Sequence, residues 1–171
     1  MTQKNINVPA HGSNVARADI PDSYKWHVQD IYANEADWQA ACASFKEKLP
    51  QLKAMQGTLT AAHSLLAVLK LQDELAQLLD KIYAYARLQQ DADNTDQHLQ
   101  ALVGEAEGLV AAFTSANSFI EPELLALGKE TVEALLAQEA GLAEYKFYIE
   151  NLLRLSAHVL SADKEAIFAQ S

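Results

Sequence analysis

The sequence has few of the residues that cross-link a chain or give it positive charge. Its 171 residues include one cysteine, six glycines and four prolines. A single cysteine cannot form an internal disulfide, which excludes a disulfide-stapled secreted scaffold. The 13 Lys and Arg residues are outnumbered by 23 Asp and Glu, so the formal net charge is −10. This balance argues against a sequence-independent nucleic-acid binder and a polybasic membrane anchor, because both need basic patches.

Long apolar runs are also missing. The uncharged, fairly apolar stretch 108–120 is shorter than the roughly 20 apolar residues of a membrane-spanning helix. The first 16 residues contain no apolar segment of the kind found in signal peptides. We therefore predict no membrane span and no signal peptide, and we expect a cytoplasmic location. The length suits one domain with a sizeable core.

Alanine and leucine are abundant. The chain has 30 Ala and 24 Leu, against 15 Val and Ile together. Ala and Leu favour helices, whereas β-branched residues favour strands. The composition predicts an all-α protein, and the spacing described below predicts an elongated helical bundle built on a long antiparallel helical hairpin.

The apolar pattern divides the chain into four segments. Residues 1–16 are polar and aperiodic, which predicts a disordered tail. Residues 17–33 carry aromatic and aliphatic side chains without helical spacing, which predicts an extended strap that buries Trp26. Residues 34–118 form the hairpin region, and residues 119–171 begin a further helical subdomain. A last helix capped by Ser161 would still be running at Ser171, so the chain looks truncated there.

The first helix is predicted to begin at Asn34, a favourable N-cap residue. A single apolar stripe follows at helical spacing: Trp38, Cys42, Phe45, Leu49 and Leu52. Pro50 should kink or interrupt this helix, and Gly57 should follow its end.

Two longer helices follow, from residue 58 or 60 to about 90 and from about 95 to 118. The polar segment 91–96 separates them and offers Asn94 or Thr95 as a cap, so the two helices form an antiparallel hairpin. Pro122 is then expected at the first position of a short helix that Gly128 ends. Helices over 129–138 and 142–158 complete the pattern.

No pattern of catalytic or metal-binding residues is found. His11, His27, His63, His98 and His158 fit neither HExxH nor Glu-x-x-His spacing, which predicts surface or packing roles. Asp91, Asp93 and Thr95 have the spacing that opens an EF-hand loop. Asp96 and Leu102, however, stand where that loop needs Gly and Glu, so we expect a solvated corner.

Nucleophile and phosphate-binding motifs are also missing. Cys42 lies on the apolar stripe, so a buried, inert thiol is expected. No glycine-rich phosphate loop is found, and no catalytic, cofactor-binding or metal residue is assigned.

Several short motifs, taken in order, resemble oligoendopeptidase F, a thimet-type (M3) zinc metallopeptidase family. They are Arg17–Trp26, Asp30–Tyr32 with Trp38, Tyr83–Ala86 with Asp91 and Asp93, Phe119–Leu125, and Leu153–Arg154 with His158, Leu160, Ser161 and Glu165. His27 departs from the pattern, because an acidic residue is expected after the tryptophan. Each motif is short, and the shared order over residues 17–171 is what carries the resemblance.

The resemblance implies a role in a longer peptidase. Family members carry HExxH and a distant Glu in a C-terminal catalytic domain, where zinc activates water for hydrolysis of short peptides. None of those positions exists here, so this region would form part of the wall over the substrate channel and be inactive alone. Its expected partner is the catalytic domain of the same parent chain, and exposed apolar surface would allow self-association.

Two other functions compete with this reading. The chain could be a free-standing helical interaction module that offers a groove to a partner helix. A metal or cofactor bundle is disfavoured, because the paired ligands that such bundles use are missing.

Overall fold

The computed structural model describes residues 20–156, which contain helices, turns and irregular segments but no strand. The all-α prediction is therefore confirmed. The described part contains α1 (Glu35–Ala54), α2 (Ala62–Ala92), α3 (Gln97–Asn117), α4 (Ile120–Leu127), α5 (Lys129–Gln138) and α6 (Lys146–Ser156), with 3₁₀ segments at Asp22–Tyr24, Val28–Asp30 and Ala140–Tyr145.

Helices α1, α2 and α3 pack pairwise around the centre of the core. Asn34 caps α1 as predicted, since its side chain accepts the backbone N–H of Asp37 at 3.0 Å. Trp38 is fully buried, and its indole N–H donates to the carbonyl of Ile82 at 2.9 Å. The Trp38 ring also stacks on Tyr85, with 6.3 Å between centroids. The apolar stripe of α1 is thus fixed against the middle of α2.

The predicted interruption at Pro50 is wrong, because α1 continues through this residue to Ala54. Proline removes one helical hydrogen bond, which costs about 3 kcal/mol in a helix interior. Phe45 and Leu52 on either side are fully buried, and Pro50 itself is exposed. Burial of the flanking residues keeps the segment after Pro50 helical.

The hairpin of α2 and α3 forms as predicted, but its cap differs. Asp96, rather than Asn94 or Thr95, caps α3 by accepting the backbone N–H groups of His98 and Leu99. Asp93 accepts both the N–H and the hydroxyl of Thr95, at 3.1 and 2.7 Å. Because Thr95 is held in this turn, the following residue, Asp96, caps α3.

The remaining helices form a second group that packs on α2. The α5 bounds agree with the prediction, and Gly128, with φ +77°, ends α4 in a conformation that favours glycine. Helix α4 begins at Ile120 and not at Pro122. Its proline lies in the first turn, where the missing N–H needs no helical partner.

A single helix over 142–158 is also not observed. A 3₁₀ segment at Ala140–Tyr145 precedes α6, and Leu142 within it is fully buried. The predicted helix after Ser161 lies outside the described residues.

Candidate interaction surface

The histidines within the described part lie apart from one another. His27 and His63 are exposed, and the ring of His63 contacts the Ser64 hydroxyl at 3.2 Å. His98 lies 2.8 Å from Glu35 and so joins the first turns of α3 and α1. This hydrogen bond, with the charge of Glu35, raises the pKa of His98. His11 and His158 lie outside the described residues.

Cys42 is almost fully buried, as predicted. Desolvation raises the pKa of its thiol to about 11. The thiol is therefore protonated at neutral pH, whereas nucleophilic cysteines need a thiolate.

The described residues do not fit the zinc site that the resemblance implies for the parent. No three His, Cys, Asp or Glu side chains within residues 20–156 converge to hold a metal ion. Asp93 and Thr95, which have part of the spacing of an EF-hand loop, form a turn with internal hydrogen bonds.

The aromatic strap differs from its prediction. Trp26 was expected to be buried, but 67% of its surface is exposed, as is 61% of Tyr24. Two 3₁₀ turns shape this segment. The backbone N–H of Tyr24 donates to the carbonyl of Pro21, and the backbone N–H of Asp30 donates to the carbonyl of His27. These turns direct Val28 into the core and leave Trp26 outside.

A second exposed apolar area lies on α6. Phe147 is 82% exposed and Leu155 is 48% exposed. The two are eight residues apart, so they share one face of the helix. The opposite face carries Ile149, which is fully buried. Exposed large apolar side chains of this kind often mark interaction surfaces.

A groove lies between α2, α3, α4, α6 and the 3₁₀ segment Ala140–Tyr145, and we call it the tyrosine groove. It consists of two adjoining cavities that share Gln72 and Tyr148. Tyr145 donates its hydroxyl hydrogen to Asp73 at 2.7 Å, and Tyr148 donates to Glu121 at 3.3 Å. These two hydrogen bonds join Tyr145 to α2 and Tyr148 to α4.

Both tyrosine hydroxyls stay protonated at neutral pH. Desolvation and the bond to Asp73 raise the pKa of Tyr145 to about 12. Desolvation and the charge of Glu121 raise the pKa of Tyr148 to about 12. The hydroxyls therefore act as hydrogen-bond donors that hold the two carboxylates in place.

Sequence reasoning did not find this groove. It placed Tyr145 within a predicted helix over 142–158 and gave Asp73 and Glu121 no role in a site. The one local signal is the i, i+3 spacing of Tyr145 and Tyr148, which puts two aromatic rings on neighbouring positions. Such spacing is equally typical of core packing.

Comparison with known proteins shows that the chain is similar to oligopeptidases. The family model described as Oligopeptidase F matches residues 123–171. Group B oligopeptidase PepB of Streptococcus agalactiae is 29% identical over 90% of this chain and 26% of its own length. Oligopeptidase PepF of Bacillus subtilis is 27% identical over 91% of this chain and 23% of its own length. The chain thus spans about a quarter of the length of these curated relatives.

Two solved structures are also similar to the chain. A putative peptidase from Chlamydophila abortus aligns with TM-score 0.76 and 32% identity, over 90% of this chain and 26% of the other. Oligoendopeptidase-F from Enterococcus faecium aligns with TM-score 0.67 and 29% identity, over 80% of this chain and 27% of the other.

The fold is all-α, and the chain is similar to one region of known oligopeptidases. More narrowly, the chain matches the N-terminal region of oligoendopeptidase F, which confirms the resemblance seen in the sequence.

Proposed function

We propose that this chain is the N-terminal helical region of an oligoendopeptidase F-like zinc metallopeptidase that hydrolyses short peptides. The observation that carries the proposal is the match to about a quarter of each relative, in sequence and in structure. In this role, the helices form part of the wall over the substrate channel, and a C-terminal catalytic domain of the same parent holds the zinc. The relatives favour this role over a free-standing interaction module.

The chain contributes no catalytic or metal-binding residue under this proposal. The burial of the Cys42 thiol supports this part of the proposal, because a nucleophilic cysteine has to react as an accessible thiolate. The division into a hairpin region over 34–118 and a subdomain starting at 119 is part of the same proposal. It is supported by the end of α3 at Asn117.

The exposed aromatic and aliphatic side chains supply the contact with the catalytic domain. Trp26 and Phe147 are the most exposed large apolar residues in the described part. Burial of apolar surface contributes roughly 25 cal/mol per Å². A partner domain that covers Trp26 and Phe147 therefore forms a more stable complex with this chain. Without that partner, the same surfaces lead to self-association, which sedimentation velocity at increasing concentration would measure.

Location is part of the proposal. Among residues 20–156, no helix is both long and apolar enough to cross a membrane. We propose that the parent acts in the cytoplasm on short peptides that enter its channel.

The test compares the chain with an established peptidase. The 171-residue protein and the oligopeptidase PepF of Bacillus subtilis are incubated with quenched fluorescent peptides, zinc and, in a parallel sample, a chelator. We expect no cleavage by the chain alone and cleavage by the relative. Chelator-sensitive cleavage by the chain would contradict the proposed role. The reading frame beyond codon 171 provides the second test: continuation to HExxH supports the parent peptidase, and a stop codon supports the module.

A further inference from the structure

The tyrosine groove carries negative charge without a matching cation. Asp73, Glu121 and Glu144 line it, and none of the side chains that line it belongs to Lys, Arg or His. A concave surface lined by one sign of charge attracts the opposite sign more strongly than a flat surface does. The net charge of −10 on the whole chain adds to this attraction. The groove therefore favours a cationic group.

Aromatic rings form part of the groove surface beside these carboxylates. Phe113, Tyr145 and Tyr148 are half-buried, which leaves part of each ring accessible. A guanidinium group stacks on aromatic faces and donates in a planar fork to carboxylates, whereas an ammonium group acts as a compact point charge. Rings and carboxylates side by side fit arginine better than lysine.

Two amide side chains offer additional contacts. Gln72 lies where the two cavities adjoin, and Asn117 lines one of them. Neither side chain has a hydrogen-bond partner within residues 20–156. Each amide can both donate and accept, which suits the backbone of an extended peptide.

We propose that the tyrosine groove binds the arginine side chain of an extended peptide, with Glu121 as the acceptor, Tyr148 as the stacking ring and Asp73 adding negative charge at the other end of the groove. This binding takes place on the described helices themselves. It does not depend on peptide hydrolysis by a longer protein, so it is tested separately from the proposed function.

The test titrates the ¹⁵N-labelled 171-residue chain with acetyl-Gly-Arg-Gly-amide at low salt, followed by ¹H–¹⁵N correlation spectra. Matched peptides carry lysine or citrulline, the latter being a neutral group of nearly the same shape as arginine. We expect saturable shifts around Gln72, Asn117 and Tyr148 with the arginine peptide, smaller shifts with lysine and none with citrulline.

Variants assign the binding to the groove. Glu121→Gln removes the negative charge of the acceptor. It should weaken binding of the arginine peptide by about fivefold, which is typical of a partly exposed charged pair. Glu107→Gln is the matched control, because Glu107 is exposed on α3 outside the groove and its substitution changes the net charge equally. Tyr148→Phe keeps the ring and should retain most of the affinity, whereas Tyr148→Leu should not.

Three results would overturn the proposal. They are equal binding of the citrulline peptide, equal weakening by Glu107→Gln and Glu121→Gln, and shifts confined to residues outside the groove. Circular dichroism melting of each variant checks that it is folded. If Glu121→Gln unfolds the chain, Asp73→Asn at the other end of the groove replaces it in the same comparison.

Discussion

Replacing Trp38 with phenylalanine should destabilise the chain by about 2–3 kcal/mol. The indole is fully buried and donates to the Ile82 carbonyl at 2.9 Å, so the change removes one buried hydrogen bond with a net contribution of about 1 kcal/mol. That carbonyl lies inside α2 and keeps its helical partner, which prevents a larger penalty. The smaller ring also leaves a gap against Tyr85, which costs about 1–2 kcal/mol more.

The assay is thermal and urea unfolding followed by circular dichroism. For a chain of this length, the destabilisation corresponds to a fall of roughly 4–12 °C in Tm. Trp26→Phe is a closely matched control, because it makes the same chemical change at a residue that is 67% exposed. Its effect should stay within about 0.5 kcal/mol.

The comparison of the two tryptophan variants can refute the reasoning. Equal Tm shifts would mean that exposure in this structure does not distinguish the two residues. A neutral Trp38→Phe would mean that the packing of α1 on α2 tolerates the loss of the indole. A large effect of Trp26→Phe would restore the sequence-based prediction that Trp26 is buried.

Three further predictions concern single residues. By NMR titration, the pKa of His98 should lie above its ordinary value, and Glu35→Gln should lower it. Because the folded pKa is raised, the pair contributes stability at pH below the unfolded pKa, and this stability is lost as pH rises through the folded pKa. Gly104→Ala should stabilise α3 by up to about 1 kcal/mol in urea unfolding, since an added Cβ meets nothing within 4 Å, whereas Gly128→Ala should destabilise by about 1–2 kcal/mol because its φ is +77°. Asp96→Ala should lower stability by about 1 kcal/mol through loss of the α3 cap, and Asn94→Ala should have little effect in the same assay.

Local patterns predicted the part of the fold that depends on neighbours along the chain. The stripe Trp38, Cys42, Phe45 and Leu52 is buried as its spacing indicated. The bounds of α5 and the cap at Asn34 also follow from local rules, because helix propensity, capping and amphipathic spacing act within one or two turns. The burial of these residues then follows from the need to cover one apolar face.

The failures of sequence reasoning all involve competition between neighbours or distant contacts. At the α2–α3 corner, Asn94, Thr95 and Asp96 are all acceptable caps, and the turn made by Asp93 decides among them. At Pro50, burial on both sides outweighs a local helix-breaking rule. In the groove, the bond between Tyr145 and Asp73 joins residues 72 positions apart, and no local pattern specifies such a pair.

The two tryptophans show why a fold can be predicted more completely than a function. Trp38 lies on a helix whose spacing selects one face, so the sequence alone determines which side of α1 is buried. Trp26 lies in a segment without periodicity, where burial depends on whatever covers the surface. In the described residues that surface is open, while the relatives are about four times as long as this chain. Under the proposed function, the exposed Trp26 contacts the catalytic domain of a longer parent chain, and local sequence patterns do not specify such a contact.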